Sequence, residues 1–443
     1  MRRWPRRAAS LRTTTWIRLG IAAAALAAAA CAGARSRARG RTSTASAGAV
    51  TPGSVSLRVV RIALAPRMAE VRLTADGEWS LFAADGRTPL AVARPGGSWV
   101  LARDGAGAGI SARREDARPV ALRDSPIIAR PAAEGGTITF NGRRWRGELA
   151  ISLGESGAGL LVVNRVRMDD YLKGVVPLEI GTRALADLAA AEAQAVAARS
   201  YAYMHLTGPS RPYDMMATVA DQVYGGANAE TSLGTQAVES TAGLLLQYDG
   251  RVVNAPYHAT CGGSTAEPGD AWRAGGEPYL QRVSDEIPGT GRYYCEWAPK
   301  YRWTQTYSAT ELREVIGRYV RSLPGSGGGA VGRVRDMSVT EVTPAGRVAT
   351  LTVETDGGRW SLHGNEIRSA LRTSGGELLY STYFSLYAAP GTNELQSVLL
   401  RGGGNGHGVG MCQAGAIGRA RAGQDFRTIL RTYYPGTTVG AID

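Results

Sequence analysis

The longest helical pattern of apolar positions in the chain covers residues 184–206, a stretch that contains neither glycine nor proline. Alanine dominates this stretch, and its larger apolar residues recur near the 3.6-residue period of a helix. A short apolar run interrupted by Pro177 precedes it and carries one carboxylate, Glu179. The pattern therefore predicts a long helix with Glu179 just before its N-terminus.

Three polar residues of this helix share one face, because Arg199 and Tyr203 lie seven and eleven positions after Glu192. Glu192 and Arg199 are interpreted as an ion pair, either along the helix or buried as a bridge. The N-terminal dipole of the helix would favour the Glu179 anion. A general acid needs a raised pKa, so a catalytic Glu179 would require apolar burial to oppose the dipole.

Apolar and polar residues alternate from about residue 54 to residue 153, the pattern of half-buried strands. Asp-Gly pairs at 76–77, 85–86 and 104–105 mark turns between them. The following region mixes a hairpin around Asp249 and Gly250 with helical stretches at 227–241, 309–322 and 365–372. The predicted fold class is α+β, with a β-rich region at 51–153 and a mixed catalytic domain at 154–443.

The first 31 residues have the composition of an export signal, with an arginine-rich start and an apolar core of about ten residues. That core is too short to span a bilayer as a permanent helix. Cys31 follows small residues, so either lipidation at Cys31 or plain signal cleavage fits. Residues 32–50 have no apolar period and are interpreted as a flexible linker. Both alternatives predict an exported protein in the periplasm or cell envelope.

The formal net charge of +13 at pH 7 is concentrated near the N-terminus. Residues 1–50 contain ten arginines and no acidic residue, so the remaining 393 positions carry only +3. The basic excess therefore belongs to the signal and linker, and nucleic-acid binding is not expected.

A glycine-rich stretch at 402–421 surrounds His407, Cys412 and Gln413, and a helix is predicted to begin near Gln413. Glycine permits a close backbone approach to a ligand, and the stretch lacks the ending of a phosphate-binding loop. A functional turn is therefore expected here, close to the substrate.

Three cysteines besides Cys31 leave two alternatives open, because an odd number cannot pair completely within an exported chain. One is a disulfide between Cys261 and Cys295 that leaves Cys412 free. The other is a zinc site formed by His258, Cys261 and Cys295, with either Cys412 or His407 as a fourth ligand.

Five motifs, in this order, resemble the stage II sporulation protein D family, also called the SpoIID/LytB domain: YLKGVVPLEIG, AEAQAVAARSYAY, DQVYGG, YHATCGGST and GHGVGMCQAGA. The resemblance extends from about residue 164 to the C-terminus. It implies an exported peptidoglycan lytic transglycosylase with a single catalytic glutamate, which corresponds to Glu179. It also implies that some relatives bind zinc beside the site, although many have serine at the position of Cys412.

The motifs suggest a groove that binds peptidoglycan glycan strands, with Trp272 as one aromatic wall residue. The expected substrate-binding residues are Arg199, Tyr201, Gln222, Tyr224, His258, Thr260, His407 and Gln413. The proposed chemistry requires no cofactor, and any zinc could be structural. Two alternatives remain: a non-catalytic wall-binding module that enhances a partner amidase, and a zinc-dependent wall hydrolase with Glu179 as base.

Overall fold

The computed structural model describes residues 54–104, 109–114, 118, 120–122, 125–155, 159–181, 184–272, 275–323, 331–373 and 375–442. The predicted signal at 1–31, including Cys31, and the predicted linker at 32–50 lie outside these residues. None of the helices in the described ranges is long and apolar enough to cross a membrane.

The first part of the chain is a succession of short strands, as the alternating pattern predicts. They are β1 Val59–Met68, β2 Glu70–Thr74, β3 Trp79–Phe82, β4 Pro89–Ala93, β5 Trp99–Arg103, β6 Ile110–Arg114, β7 Val120–Leu122, β8 Ile127–Pro131, β9 Thr137–Phe140, β10 Arg143–Arg146, β11 Glu148–Leu153 and β12 Leu160–Arg167.

Shorter strands and longer ones alternate with helices in the rest of the chain. The strands are β13 Met215–Met216, β14 Leu245–Tyr248, β15 Arg251–Val252, β16 Tyr257–His258, β17 Trp303–Ser308, β18 Val334–Val342, β19 Val348–Thr355, β20 Gly358–His363, β21 Phe384–Pro390, β22 Leu395–Gly402, β23 Met411–Cys412 and β24 Thr438–Gly440.

The helices confirm the mixed α+β class, and most of them follow β12. They are α1 Ser54–Leu57, α2 Met168–Lys173, α3 Val176–Ile180, α4 Leu188–Met204, α5 Ser232–Ser240, α6 Pro268–Ala271, α7 Ala309–Ser322, α8 Glu366–Ala370, α9 Gln413–Arg421 and α10 Phe426–Tyr433.

Two sheets form the N-terminal half, one of seven strands in the order β13-β1-β12-β11-β8-β3-β4 and one of six in the order β10-β9-β2-β5-β6-β7. Alternate residues of both sheets enter the main hydrophobic core, which also contains α4 and α9. Because β12 lies between β1 and β11, the predicted boundary between residues 153 and 154 passes through a continuous sheet. The β region and the helical region therefore share one core.

Helix α4 is the centre of that core. Eleven of its seventeen residues are buried, among them Ala191, Ala195 and Ala198, and the small alanines allow neighbouring helices to approach closely. It packs against α3, α5, α9 and α10. The site described below lies where α3 and α9 meet α4.

A second hydrophobic core lies in residues 303–402, between β17 and β22, and no break in the sequence pattern predicts it. Strand β17 enters this unit and β22 leaves it as an antiparallel pair, with Trp303 opposite Gly402. Its helix α7 covers the predicted range and begins with a capping box between Ser308 and Glu311. We call residues 303–402 the inserted unit.

Candidate active site

Glu179 lies in α3, a helix of five residues that is separate from α4. Pro177 occupies the first turn of α3, and Gly181 ends it with a φ of 61° and an amide that donates to the Pro177 carbonyl. Glycine adopts this left-handed conformation without the penalty of a Cβ atom. Residues between α3 and α4 displace Glu179 from the N-terminus of α4, so the expected dipole effect of that helix is not supported.

The Glu179 carboxylate is half-buried and held by two donors from distant parts of the chain. Its Oε1 accepts the Val223 amide at 2.7 Å. Its Oε2 lies 3.5 Å from Nε2 of Gln413, which also donates to Oε1 of Gln194 at 3.2 Å. We call these four residues the Glu179 site.

Burial raises the pKa of Glu179, and the hydrogen bonds from Val223 and Gln413 only partly oppose this effect. A general acid at Glu179 requires burial that raises its pKa, and the structure meets this requirement. The same contacts place Glu179 beside the first residue of α9, directly after the glycine-rich turn.

Tyrosines surround the Glu179 site. The negative charge of Glu179 adds to the burial that raises the pKa of Tyr171, Tyr201 and Tyr257. Tyr201, a predicted substrate-binding residue, is half-buried, with its hydroxyl donating to Asp221 at 3.4 Å and its ring stacked on His205. These rings supply the low-polarity surroundings in which the carboxyl group is held.

Two predicted substrate-binding residues are buried instead. Gln222 has no exposed surface, and its amide donates to the Ala198 carbonyl and to the Tyr257 hydroxyl. Tyr224 is only 2% exposed and donates to Asn164. The turn at residues 221–226 therefore contributes its Val223 amide to the Glu179 site, while these two side chains hold the turn in place.

Arg199 is also a structural residue, contrary to its predicted role in the groove. Its side chain is fully buried, pairs with Asp169 at 3.0 Å and donates to the carbonyls of Val238 and Leu244. The predicted pair with Glu192 is wrong, since Glu192 accepts a hydrogen bond from Ser240. The arginine stabilises α4 against its neighbours.

His258 and His407 lie close together on the face of β16 opposite to the Tyr257 side chain. Consecutive residues of a strand point to opposite faces, so Tyr257 contacts Gln222 while His258 Nδ1 lies 3.2 Å from the Val409 carbonyl. The ring centroids of the two histidines are 5.5 Å apart, and Trp272, 37% exposed, lies 4.9 Å from His407.

Burial disfavours the protonated, charged form of both histidines. Burial lowers the pKa of His258 well below its usual value and that of His407 to about 3. His407 Nδ1 accepts the Val409 amide, so its Nε2 carries the proton and donates to the Tyr257 carbonyl. Within the described residues, His258 Nε2 and Thr260 Oγ1 are buried without a hydrogen-bond partner.

The three cysteines that the structure describes converge with Asp285, a residue that the sequence did not single out. Ligand atoms of Cys261, Asp285, Cys295 and Cys412 all lie within 4.8 Å of one another, and all four residues are buried. The sulfurs of Cys261 and Cys295 are 3.5 Å apart as free thiols, so the predicted disulfide is absent from these described residues. His258 is not a member of this group, which corrects the predicted ligand set. We call the group the cysteine cluster.

Comparison with known proteins places part of this site in a described family. Residues 156–248 match the model of the family described as Stage II sporulation protein. Stage II sporulation protein D of Bacillus subtilis is 28% identical over 297 residues, which cover 63% of this chain and 76% of that protein. Residues 156–248 of this chain are therefore similar to the SpoIID family.

Two other relatives extend the comparison. An uncharacterized protein of Brachyspira hyodysenteriae is 29% identical over 305 residues, covering 68% of this chain and 74% of that protein. The amidase enhancer of Bacillus subtilis is 30% identical over 305 residues, covering 60% of this chain but 40% of the enhancer. Residues 290–410, which include the inserted unit, match a domain of unknown function.

The SpoIID segment contains Glu179, Gln194 and Val223, whereas Gln413 and the cysteine cluster lie beyond it. Gln194 and Val223 lie inside two of the motifs that carried the resemblance, so the motifs marked their neighbourhood without showing which residues meet Glu179. Trp297 was also missed as a contact: it is 42% exposed, and its indole donates to the Ala414 carbonyl, next to Gln413.

Proposed function

We propose that this protein is an exported lytic transglycosylase that cleaves the β-1,4 bond between N-acetylmuramic acid and N-acetylglucosamine in peptidoglycan. The observation that carries the proposal is the half-buried Glu179, whose pKa is raised by burial and whose carboxylate is oriented by Val223 and Gln413. Similarity to the SpoIID family supports a function at the cell wall. Export and lipid attachment at Cys31 stay predictions of the sequence.

A single carboxyl group is enough for this reaction. Glu179 donates its proton to the glycosidic oxygen as the bond to C1 breaks and positive charge develops on the ring. The resulting carboxylate then removes the proton of the sugar's own C6 hydroxyl, whose oxygen bonds to C1. Because this second step is intramolecular, it needs no activated water. The products are a free 4-hydroxyl and a 1,6-anhydro end.

The two oxygens of Glu179 have different roles in this scheme. Oε1 accepts a short bond from the Val223 amide, so protonation there would disrupt it. Oε2 has only the long contact with Gln413 and is the oxygen that carries the transferred proton. Val223 therefore fixes the carboxyl plane, and Oε2 is presented to the substrate.

The test is the substitution Glu179→Gln, which keeps the side-chain shape but removes the transferable proton. We expect the release of anhydro-ended fragments to fall by at least about 100-fold, the usual contribution of a general acid or base. Mass spectrometry of digested peptidoglycan measures this, because hydrolysis adds a water and the anhydro route does not. Binding to purified peptidoglycan should survive.

Two control variants sharpen the result. Glu192→Gln removes a carboxylate that accepts a hydrogen bond from Ser240 and should leave turnover unchanged. Asp221→Asn tests for a second catalytic carboxylate, since Asp221 also lies close to Tyr201. Anhydro ends should persist in the Asp221 variant; hydrated ends that depend on both residues would instead indicate a two-carboxylate glycosidase.

A second candidate function is enhancement of a partner amidase, favoured by the relative that carries this name. In that case the chain would bind the wall and stimulate the amidase without creating glycan ends. Glu179→Gln would then stimulate the amidase as well as the unaltered chain does. If, in addition, the unaltered chain created no anhydro ends, the transglycosylase proposal would be contradicted.

A further inference from the structure

The cysteine cluster is assembled from three segments that are far apart in the sequence. Cys261 follows β16, Cys295 and Asp285 belong to the loop before the inserted unit, and Cys412 is the N-cap residue of α9. Cys261 Sγ lies 3.5 Å from Cys295 Sγ and 3.8 Å from Asp285 Oδ2. In a tetrahedral zinc site with bonds of about 2.3 Å, sulfur ligands are about 3.8 Å apart. The observed spacing is close to this value.

Backbone amides point at the sulfurs. The amides of Cys261 and Gly415 donate to Cys412 Sγ at 3.2 and 3.3 Å, and the Gly263 amide donates to Cys261 Sγ at 3.4 Å. Such donors stabilise negative charge on sulfur, the form in which cysteine binds a metal. Three amides directed at two buried sulfurs are a feature of the folded chain that does not depend on any ligand.

Asp285 is oriented as a ligand that binds through one oxygen. Its Oδ1 accepts the Tyr433 hydroxyl at 2.7 Å and the Arg419 guanidinium at 3.2 Å, and its Oδ2 is the atom that approaches Cys261. Tyr433 and Arg419 thus fix the carboxylate from outside the cluster. The positive charge of Arg419 also offsets part of the negative charge that three thiolates and a carboxylate would bring.

We propose that Cys261, Asp285, Cys295 and Cys412 bind one zinc ion in a closed, tetrahedral site. Sulfur donors select zinc over magnesium and calcium, which prefer oxygen. Three thiols lose their protons as they bind the divalent ion, and no oxidant is involved. The proposal does not depend on Glu179 being catalytic.

The role of this ion is structural. Four buried protein ligands leave no open position for a water, and Glu179 is not among the donor atoms, so the zinc-hydrolase alternative gains no support from this geometry. Cys412 directly precedes Gln413, the residue that contacts Glu179. The zinc would therefore fix the start of α9 and, through it, one donor of the Glu179 site.

The experiment measures the metal in the purified, exported full-length chain. Elemental analysis should find one zinc per chain, and native mass spectrometry should find the corresponding mass with no disulfide among the three cysteines. Replacement of the zinc by cobalt should give the near-ultraviolet charge-transfer absorption of thiolate ligands. These readouts use the unaltered protein and do not depend on the folding of a variant.

Variants distinguish the ligand set. Cys295→Ser and Asp285→Asn should each lose zinc to a chelator at least ten-fold more readily than the unaltered chain. His258→Gln, which changes a member of the ligand set predicted from sequence, should retain the metal. A metal-free native chain with three titratable thiols, a disulfide between any two of these cysteines, or zinc loss in His258→Gln would overturn the proposal.

Discussion

The hydrogen bond from Gln413 is one of two that lower the pKa of Glu179 against the effect of burial. A donor directed at a carboxylate stabilises its charged form, so this bond opposes the burial that raises the pKa of Glu179. Gln413→Met keeps the side-chain length and removes the donor. We therefore expect the pKa of Glu179 to rise further, which keeps the acid protonated to higher pH.

The measurement is the pH dependence of anhydro-end release. The limb on which activity falls as Glu179 loses its proton should move to higher pH in Gln413→Met. Gln247→Met is the matched control, because Gln247 donates to carbonyls near the C-terminus, away from Glu179. A limb that does not move would show that Gln413 has no effect on the pKa of Glu179. A limb that moves to lower pH would contradict the expected direction of the shift.

At the scale of elements, Arg199 tests whether α4 carries substrate contacts or core contacts. Arg199→Met leaves Asp169 without its partner and removes the donors to two carbonyls. Loss of one member of a buried ion pair costs about 3–5 kcal/mol, and we expect a decrease in the free energy of unfolding near the lower limit because Asp169 is partly exposed.

Urea unfolding of matched variants measures this cost. Arg292→Met removes an arginine that is 71% exposed and pairs with Glu296, so it should cost less than about 1 kcal/mol. Unchanged stability of Arg199→Met together with weaker peptidoglycan binding would support the original prediction of a groove residue.

The periodicity of apolar residues predicts the helices and strands better than it predicts the contacts between them. Helices α4, α7 and α9 and the hairpin at Asp249 follow from local patterns, and the structure confirms them. Gly181, in the left-handed conformation, ends α3, so Glu179 belongs to a separate short helix and does not lie at the start of α4. Spacing also pairs Arg199 with Glu192, although the carboxylate that it contacts, Asp169, comes from α2.

The site was predictable where a motif contains its chemistry and unpredictable where the fold creates it. The motif YLKGVVPLEIG contains Glu179, and a role as general acid requires that the pKa of this residue be raised. Asp285 lies in an unremarkable loop and becomes a candidate ligand only because Tyr433 and Arg419 hold it against the cysteines. A contact between residues more than a hundred positions apart leaves no period in the sequence.

At the scale of the whole molecule, the inserted unit has its own core but is not independent of the site. Arg347, at the start of β19, is 1% exposed and donates to the Cys261 carbonyl at 3.4 Å. A Cβ atom at Gly408 would clash with its guanidinium, so the glycine-rich turn is shaped around this side chain. The insertion thus places a buried cation next to the cysteine cluster.

This placement predicts that the inserted unit helps to retain the proposed zinc. Burial lowers the pKa of Arg347, whereas negative charge on Cys261 as a thiolate and on Asp270 favours its cationic form, and the attraction is mutual. Arg347→Met preserves the approximate length and removes the charge. We expect zinc to be lost to a chelator about ten-fold more readily, as for other groups just outside a metal's ligands.

The control for this variant is Arg401→Met, which removes an exposed arginine of the same unit that lies over Tyr387. Both variants should keep the circular dichroism of the folded chain, so a difference in zinc retention would reflect the buried charge. Equal retention in the two variants would limit Arg347 to packing against Gly408. Faster loss of zinc in Arg347→Met alone would show that the inserted unit helps to hold the metal, and with it Cys412 at the start of α9.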